Sequence, residues 1–415
     1  MNLKTSMNSR ERILCALSHQ EPDHVPLYLM LMGSGLDYEE AAGFDFGNLH
    51  RYDVRRPYSI AHHIRRAEQL LDLGVDDTLR LEPPLGWAEE YFVEGVRKVK
   101  SSVHQTAAPD GEGTVIEKVY HTGSGTLRQT VHVTDDWPHG IDIPVFSDFS
   151  VSRSKEYLIK GPENLKDLDV LLGEPKKEEY QRFKEEAAEL RKAASRLGVI
   201  LEGGRTSLGD SLIWLLGIEA AILGAYDRID FLEQLLDLLL EWESKRLAMM
   251  IDEGIEILFH SAWYEMTDFF TPEVYRRLLK PRLKKLINIC HQAQVRFAYI
   301  MTKSIDTYAE DFLELGMDSV FGVDPVQGQA DLKILKNKFR DRISIWGGIN
   351  SAITLGQGSE REIEQAVTEA IRILAPGGGF ILYPVDVLLA GANPWAKVRI
   401  LLNKWREIGN YPIRV

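Results

Sequence analysis

The side chains able to do chemistry fall where short apolar runs end. VILEGG, from Val199, carries Glu202 and is followed by Arg205. EILFHS, from Glu256, contains His260, with Trp263 and Glu265 close behind. RFAYIM carries Tyr299 and Met301, with Lys303 just after it. SVFGVD ends on Asp324, RISIWGG is followed by Asn350, and FILYPV by Asp386. DTLRLE holds Arg80 and Glu82, whereas VPLYLML, from Val25, leads into an end of Met30, Leu31, Met32 and Gly33 with no ionisable group. Thioether and indole surface with a few convergent polar groups is the usual form of a small-molecule site. In such a site Tyr299, His260, Asp386, Asp324 and Glu265 are the candidate acids and bases. A positioned proton donor is worth ~10² to 10⁴ in rate. Met30, Met32, Glu202, Arg205, Trp263, Met301, Lys303 and Asn350 are the candidate substrate contacts. Each also has a plain structural role open to it, since strand-end Asp, Asn and Arg often bind loop backbone. The two cysteines, Cys15 and Cys290, lie in helix-like segments and form no zinc spacing. Metal ligands stay unassigned: His260 with Glu265 or Asp386 would have to hold zinc from different loops, and no local spacing supports that.

These positions need elements to hold them. The eight apolar runs named above alternate with helical patterns, and most are apolar throughout, as strands covered on both faces are. The helices are punctuated. Ser359 and Glu362 form a capping box before EREIEQAVTEAIRIL, and Thr271 with Pro272 opens PEVYRRLLKPRLKKLINICHQ, broken near Pro281. The economical architecture is α/β, a (β/α)8 TIM-type barrel forming a single domain over residues 1–415. Its strand ends are then expected to face the pocket. Between the second and third strands, residues 88–160 read as an insertion. EKVYHTGSGTLRQTVHV within it alternates around GSG like a β-hairpin.

The chain has 415 residues, with 49 Lys and Arg against 62 Asp and Glu, a net charge of −13. Acidic and without a basic block, it is not expected to bind nucleic acid. No apolar run approaches the roughly 18 residues that span a bilayer, so a soluble, cytoplasmic protein without membrane partners is expected. The G-x-G triplets at Gly111 and Gly123 neither follow a strand nor open a helix, which speaks against dinucleotide binding.

The opening SRERILCALSHQEPDHVPLYLM, the segment GTLRQTVHV with YLIKGPENLKDLDVLL, and RISIWGGINSAITLGQGSEREIEQAVTEAIRILAPGGGFIL resemble the uroporphyrinogen decarboxylase superfamily, which includes cobalamin-dependent methyltransferases. The resemblance spans most of the chain and implies a first helix leading into strand one. The decarboxylases carry two arginines after strand one for their tetrapyrrole's carboxylates. LMLMGSGLD has none here, and buried carboxylates would lack charge-assisted partners. The thiol-methylating branch carries zinc on an H-x-C motif, where this chain has Tyr299, Ile300 and Met301. What the resemblance then implies is the donor-side branch. Such a methyltransferase takes methyl from a small donor, most simply a methoxylated aromatic, and passes it to the corrinoid (cobalamin) of a separate corrinoid protein. Tyr299, His260, Asp386, Asp324 and Glu265 would stand near the leaving oxygen. Met30, Met32 and Trp263 would form the ring's wall, and Arg205 or Lys303 would meet a ring carboxylate. The alternatives are an atypical decarboxylase, a lyase, or a binding barrel without activity. A homodimer is compatible with all three.

Overall fold

The computed structural model describes residues 3, 5–30, 60–84, 99–108, 111, 113–135, 137, 139–386 and 394–413. Seven parallel strands make the main sheet: β1 (Thr78–Leu81), β6 (Ile200–Ser207), β7 (Ile257–Ser261), β8 (Arg296–Ile300), β9 (Ser319–Val323), β10 (Ser344–Asn350) and β11 (Phe380–Val385), paired in that order. Residues 27 and 28 bridge both of its ends in parallel, Leu27 to Leu382 in β11 and Tyr28 to Asp76 beside β1. The segment expected as strand one is therefore a pair of isolated bridges joining the two edges of a curled sheet. The result is an α/β, TIM-like arrangement.

Alternation along each strand sorts the side chains into two layers. Inward positions, among them Tyr28, Ile200, Phe259, Ile300, Phe321, Trp346 and Tyr383, form one buried cluster. Ile13, Ala16 and Leu17 of the N-terminal helix Ser9–Leu17 belong to the same cluster, so that helix closes the strands' N-terminal end. Trp346 sits edge-on to Tyr28 at 5.3 Å and 5.6 Å from Phe259, between ring centroids. The lumen is thus a packed core below its mouth, as the fold requires, and each large side chain so buried contributes roughly 1.5–3 kcal/mol. Outward positions such as Leu258, Phe297, Tyr299 and Leu382 pack against the surrounding helices.

Those helices begin and end where the sequence punctuates them. Ser359 accepts from the Glu362 N–H in a full capping box, and Thr271 accepts from the Val274 N–H. The expected break near Pro281 is real: one helix covers Pro272–Leu278 and the next Lys280–Gln292. The insertion is larger than the expected hairpin. β2 (Lys100–Ala107), β3 (Thr114–His121), β4 (Thr126–Val133) and β5 (Ser154–Glu156) form a four-stranded antiparallel sheet, of which β3 and β4 are the anticipated pair. Its outer strand β2 is polar and exposed along its length, so no periodicity announced it. Among the described residues no single helix is long and apolar enough to cross a membrane.

Candidate active site at the barrel mouth

At the C-terminal rim of the sheet the inward positions turn polar. Arg80 of β1 donates from Nε to Glu202 Oε1 of β6 at 2.5 Å and stands 3.8 Å from Glu82. Thr78 donates to the other oxygen of Glu202 at 2.5 Å. Glu202 is 2% exposed, so its charge is balanced here by design of the strand pairing, in which Arg80 and Glu202 lie side by side. Burial works against the Arg80 charge, but Glu202 and then Glu82 more than offset this and hold the guanidinium protonated.

Arg205 reaches the same mouth through a bulge. The β6–β7 register shifts between Gly203 and Thr206. Without the shift Arg205 and Gly203 would share a face. Instead Thr206 takes the outward side, hydrogen-bonded to His260 Nδ1 at 2.9 Å, and Arg205 turns inward. A Cβ on Gly204 would stand 2.2 Å from Glu82 Oε2, so any larger residue there would displace that carboxylate. The Arg205 guanidinium lies 5.1 Å from the Trp263 ring. Burial, and next the Arg80 charge, pull its pKa down to about 10.

Trp263 and the half-buried Met30 cap the aromatic cluster of the lumen. The Trp263 loop is pinned by Asp210, whose carboxylate accepts from the N–H groups of Trp263 at 3.2 Å and Tyr264 at 2.7 Å. Tyr383 completes the mouth. Its hydroxyl donates to Met30 Sδ at 3.2 Å and accepts from the Asp386 N–H at 3.0 Å. Burial, then Tyr28 and Asp386, push its pKa well above the ordinary value, so the phenol is protonated at neutral pH. Asp386, with φ +77°, sits at the rim just past β11.

Met30, Glu202, Arg205, Trp263 and Asp386 thus gather at the mouth. His260, Tyr299, Met301 and Glu265 do not. The lumen positions of β7 and β8 belong to Phe259 and Ile300, so His260 and Tyr299 point to the helices, where their rings stack 5.6 Å apart. There Glu265, fully buried, accepts from the Tyr299 hydroxyl and from the Gly209 N–H at 2.7 Å, with His260 Nε2 at 3.3 Å from the same oxygen. Burial and then Glu265 push the Tyr299 phenol well above its ordinary range. Met301 packs in this outer layer too. The expectation that these strand-end groups line the pocket is therefore corrected by strand parity.

Asp324 and Asn350 take the structural option. Asp324 accepts from the N–H groups of Val326 at 2.7 Å and Gln327 at 3.2 Å, and Asn350 donates to Asp324 at 2.7 Å. Lys303 pairs with Asp268 at 2.6 Å on the exposed rim. Met32 lies outside the described residues. Sequence reading passed over Tyr28 and Tyr383 as core. It noted Arg80 and Glu82 at the end of their strand but gave them no role. The signal for Tyr28 was its parity with Met30, two residues on, and Arg80 and Glu82 share parity with each other, while Tyr383 had none. Among the described residues no group of three His, Cys, Asp or Glu is placed to hold a metal ion.

Residues 146–390 match the uroporphyrinogen decarboxylase family model. No curated protein sequence matches the chain. Among solved structures, a methyltransferase from Methanosarcina mazei is similar over 97% of this chain and 99% of its own, with a TM-score of 0.57 and 16% identity. A B12-independent methionine synthase from Shewanella sp. W3-18-1 aligns over 98% of both chains, with a TM-score of 0.45 and 10% identity. The first of these likenesses supports the fold. With the family model covering more than half of its length, the chain belongs to the uroporphyrinogen decarboxylase family.

Proposed function

We propose that this chain is a methyltransferase. In this reading it takes a methyl group from a methoxylated aromatic and passes it to the cob(I)alamin of a separate corrinoid protein seated over the mouth. The observation that carries the reading is the Tyr383 hydroxyl. It is a buried, protonated phenol at an aromatic and thioether wall, and it spends its proton on Met30 sulfur, a weak acceptor. An ether oxygen becoming a phenolate is a far better acceptor and would take the sulfur's place. The Asp386 N–H, donating to the same phenol oxygen, stabilises Tyr383 as its proton moves toward the leaving group.

The chain's own nucleophiles support the division of labour. Cys290 is buried among outer helices, its thiol pushed up to about 12 by burial, and Cys15 sits on the helix at the closed end. Neither cysteine serves the mouth, whereas a corrinoid partner supplies a strong nucleophile as the reaction's second substrate. What this chain's residues do is orient the ring against Trp263 and Met30, exclude water and donate the proton. Decarboxylation of a polyanionic tetrapyrrole suits the mouth poorly. Of its two arginines, Arg80 is already matched by Glu202.

The test is methyl transfer from a methoxylated aromatic, followed by corrinoid absorbance, with and without the corrinoid protein. Transfer that depends on the partner supports the proposal. Full demethylation without any corrinoid, or coproporphyrinogen formation at a true decarboxylase's rate, overturns it.

A further inference from the structure

The two arginines of the mouth are not equivalent. Arg80 is neutralised by a carboxylate at 2.5 Å. Arg205 is 8% exposed, its Nε is buried with no acceptor, and no carboxylate stands within ion-pair distance of it among the described residues. The Trp263 ring, whose centroid lies 5.1 Å from the guanidinium carbon, attracts its charge without offering its N–H donors a carboxylate to bind. The fold goes to some length to bring it there, with a bulge at Gly203 to Thr206 that turns it into the mouth. A desolvated guanidinium with no carboxylate in ion-pair contact is unfavourable in the free protein. A fold that keeps one at a small-molecule mouth leaves that contact to the ligand.

We propose that Arg205 is the seat of a carboxylate carried by the ligand, so that the chain accepts small aromatic monocarboxylates in preference to neutral arenes. The proposal rests on the reading that the methyl donor binds at the mouth. Carboxylate oxygens match the guanidinium's planar fork of donors, and two parallel charge-assisted bonds would fix the ring's rotation beside Trp263. The surroundings set the number of charges. Among the described residues, Glu202 and Glu82 lie close enough to act on Arg205 electrostatically, so a second anionic group beside them would meet carboxylates. Lys303 is the other cation the sequence offered for this task. It is already paired with Asp268 on the exposed rim.

The test needs no corrinoid. Binding of 4-methoxybenzoate and of 4-methoxybenzamide is measured by calorimetry with the full chain, its Arg205→Met variant and its Arg205→Lys variant. The wild type should bind the acid about 30-fold or more tightly than the amide, the value of one charge-assisted fork. Arg205→Met should lose that preference while keeping the amide's affinity, and Arg205→Lys should keep part of it. A wild type that binds the acid no better than the amide overturns the seat, as does an Arg205→Met variant that retains the preference. Should Arg205→Met fail to fold, the wild-type comparison and Arg205→Lys decide. Binding through Arg205 without methyl transfer in the presence of the corrinoid protein upholds the seat and overturns the methyltransferase reading, so the two failures are separable.

Discussion

Two buried tyrosines offer a direct comparison, because each carries a protonated phenol and they stand on opposite faces of the sheet. In Tyr383→Phe the ring stays in place, packed 4.6 Å from Phe321 and 5.7 Å from Tyr28, and only the hydroxyl goes. The Asp386 N–H, at the partly wet rim, loses one acceptor, worth about 1 kcal/mol. In a chain of 415 residues that moves Tm by about 2 °C or less. Turnover should fall by ~10² to 10⁴, about 3–5 kcal/mol at the transition state, with KM little changed because the ring wall is intact. In Tyr299→Phe the balance reverses. Fully buried Glu265 loses a hydroxyl donor, which costs about 2–3 kcal/mol of stability, while the lumen keeps its lining and turnover stays within about tenfold. Rates are read from corrinoid absorbance with the partner in excess, and stabilities from urea unfolding. A Tyr383→Phe variant with full turnover, or a Tyr299→Phe variant that is stable but inactive, would refute the assignment of the acid.

Arg205→Met should make the ligand-free protein more stable. The fall of the arginine's pKa to about 10, caused by burial and next by Arg80, corresponds to about 3 kcal/mol, of which roughly 1 is returned by the lost contact with Trp263, and urea midpoints with and without 4-methoxybenzoate will show it. Asp311, held below the ordinary carboxylate range by Arg276 and Lys280 in spite of burial, contributes stability above about pH 4 that is lost as the pH falls through its depressed value. Asp311→Asn should therefore lower Tm at pH 7, by about a degree or two, and lower it by less at pH 3. An equal deficit at both values would discount the ion pairs. Gly209→Ala puts a Cβ 2.5 Å from Glu265 Cγ and should cost about 1–3 kcal/mol, measured by thermal unfolding. A neutral result would mean that Glu265 is free to move.

The sequence carried the order of elements and concealed which way their side chains face, for one physical reason. A strand covered by helices on one side and a filled lumen on the other is apolar on both. VPLYLML and FILYPV therefore show no alternation, and Tyr28 and Tyr383 read as core along with their neighbours. By the same token His260 and Tyr299, polar and close to strand ends, looked like lining although Phe259 and Ile300 hold the inward positions. Capping signals suffer no such ambiguity, because a Ser359 hydroxyl meets its own helix whichever way that helix is turned. Parity counted from Met30 would have recovered Tyr28, two residues before it, whereas Tyr383 lies in a strand whose one flagged neighbour, Asp386, is three residues on and so misleads. Parity would still have misplaced Arg205, three residues from Glu202 and so on the opposite face of an unbroken strand. Only the extra residue of the bulge reverses it. The paired glycines ahead of Arg205 were its one trace in the sequence: Gly203 stands where the register slips, and Gly204 is where a side chain would collide with Glu82. One inserted residue thus exchanges the facing of Arg205 and Thr206. It gives the cation to the mouth and the hydroxyl to His260, and the charge the ligand must carry follows from that exchange.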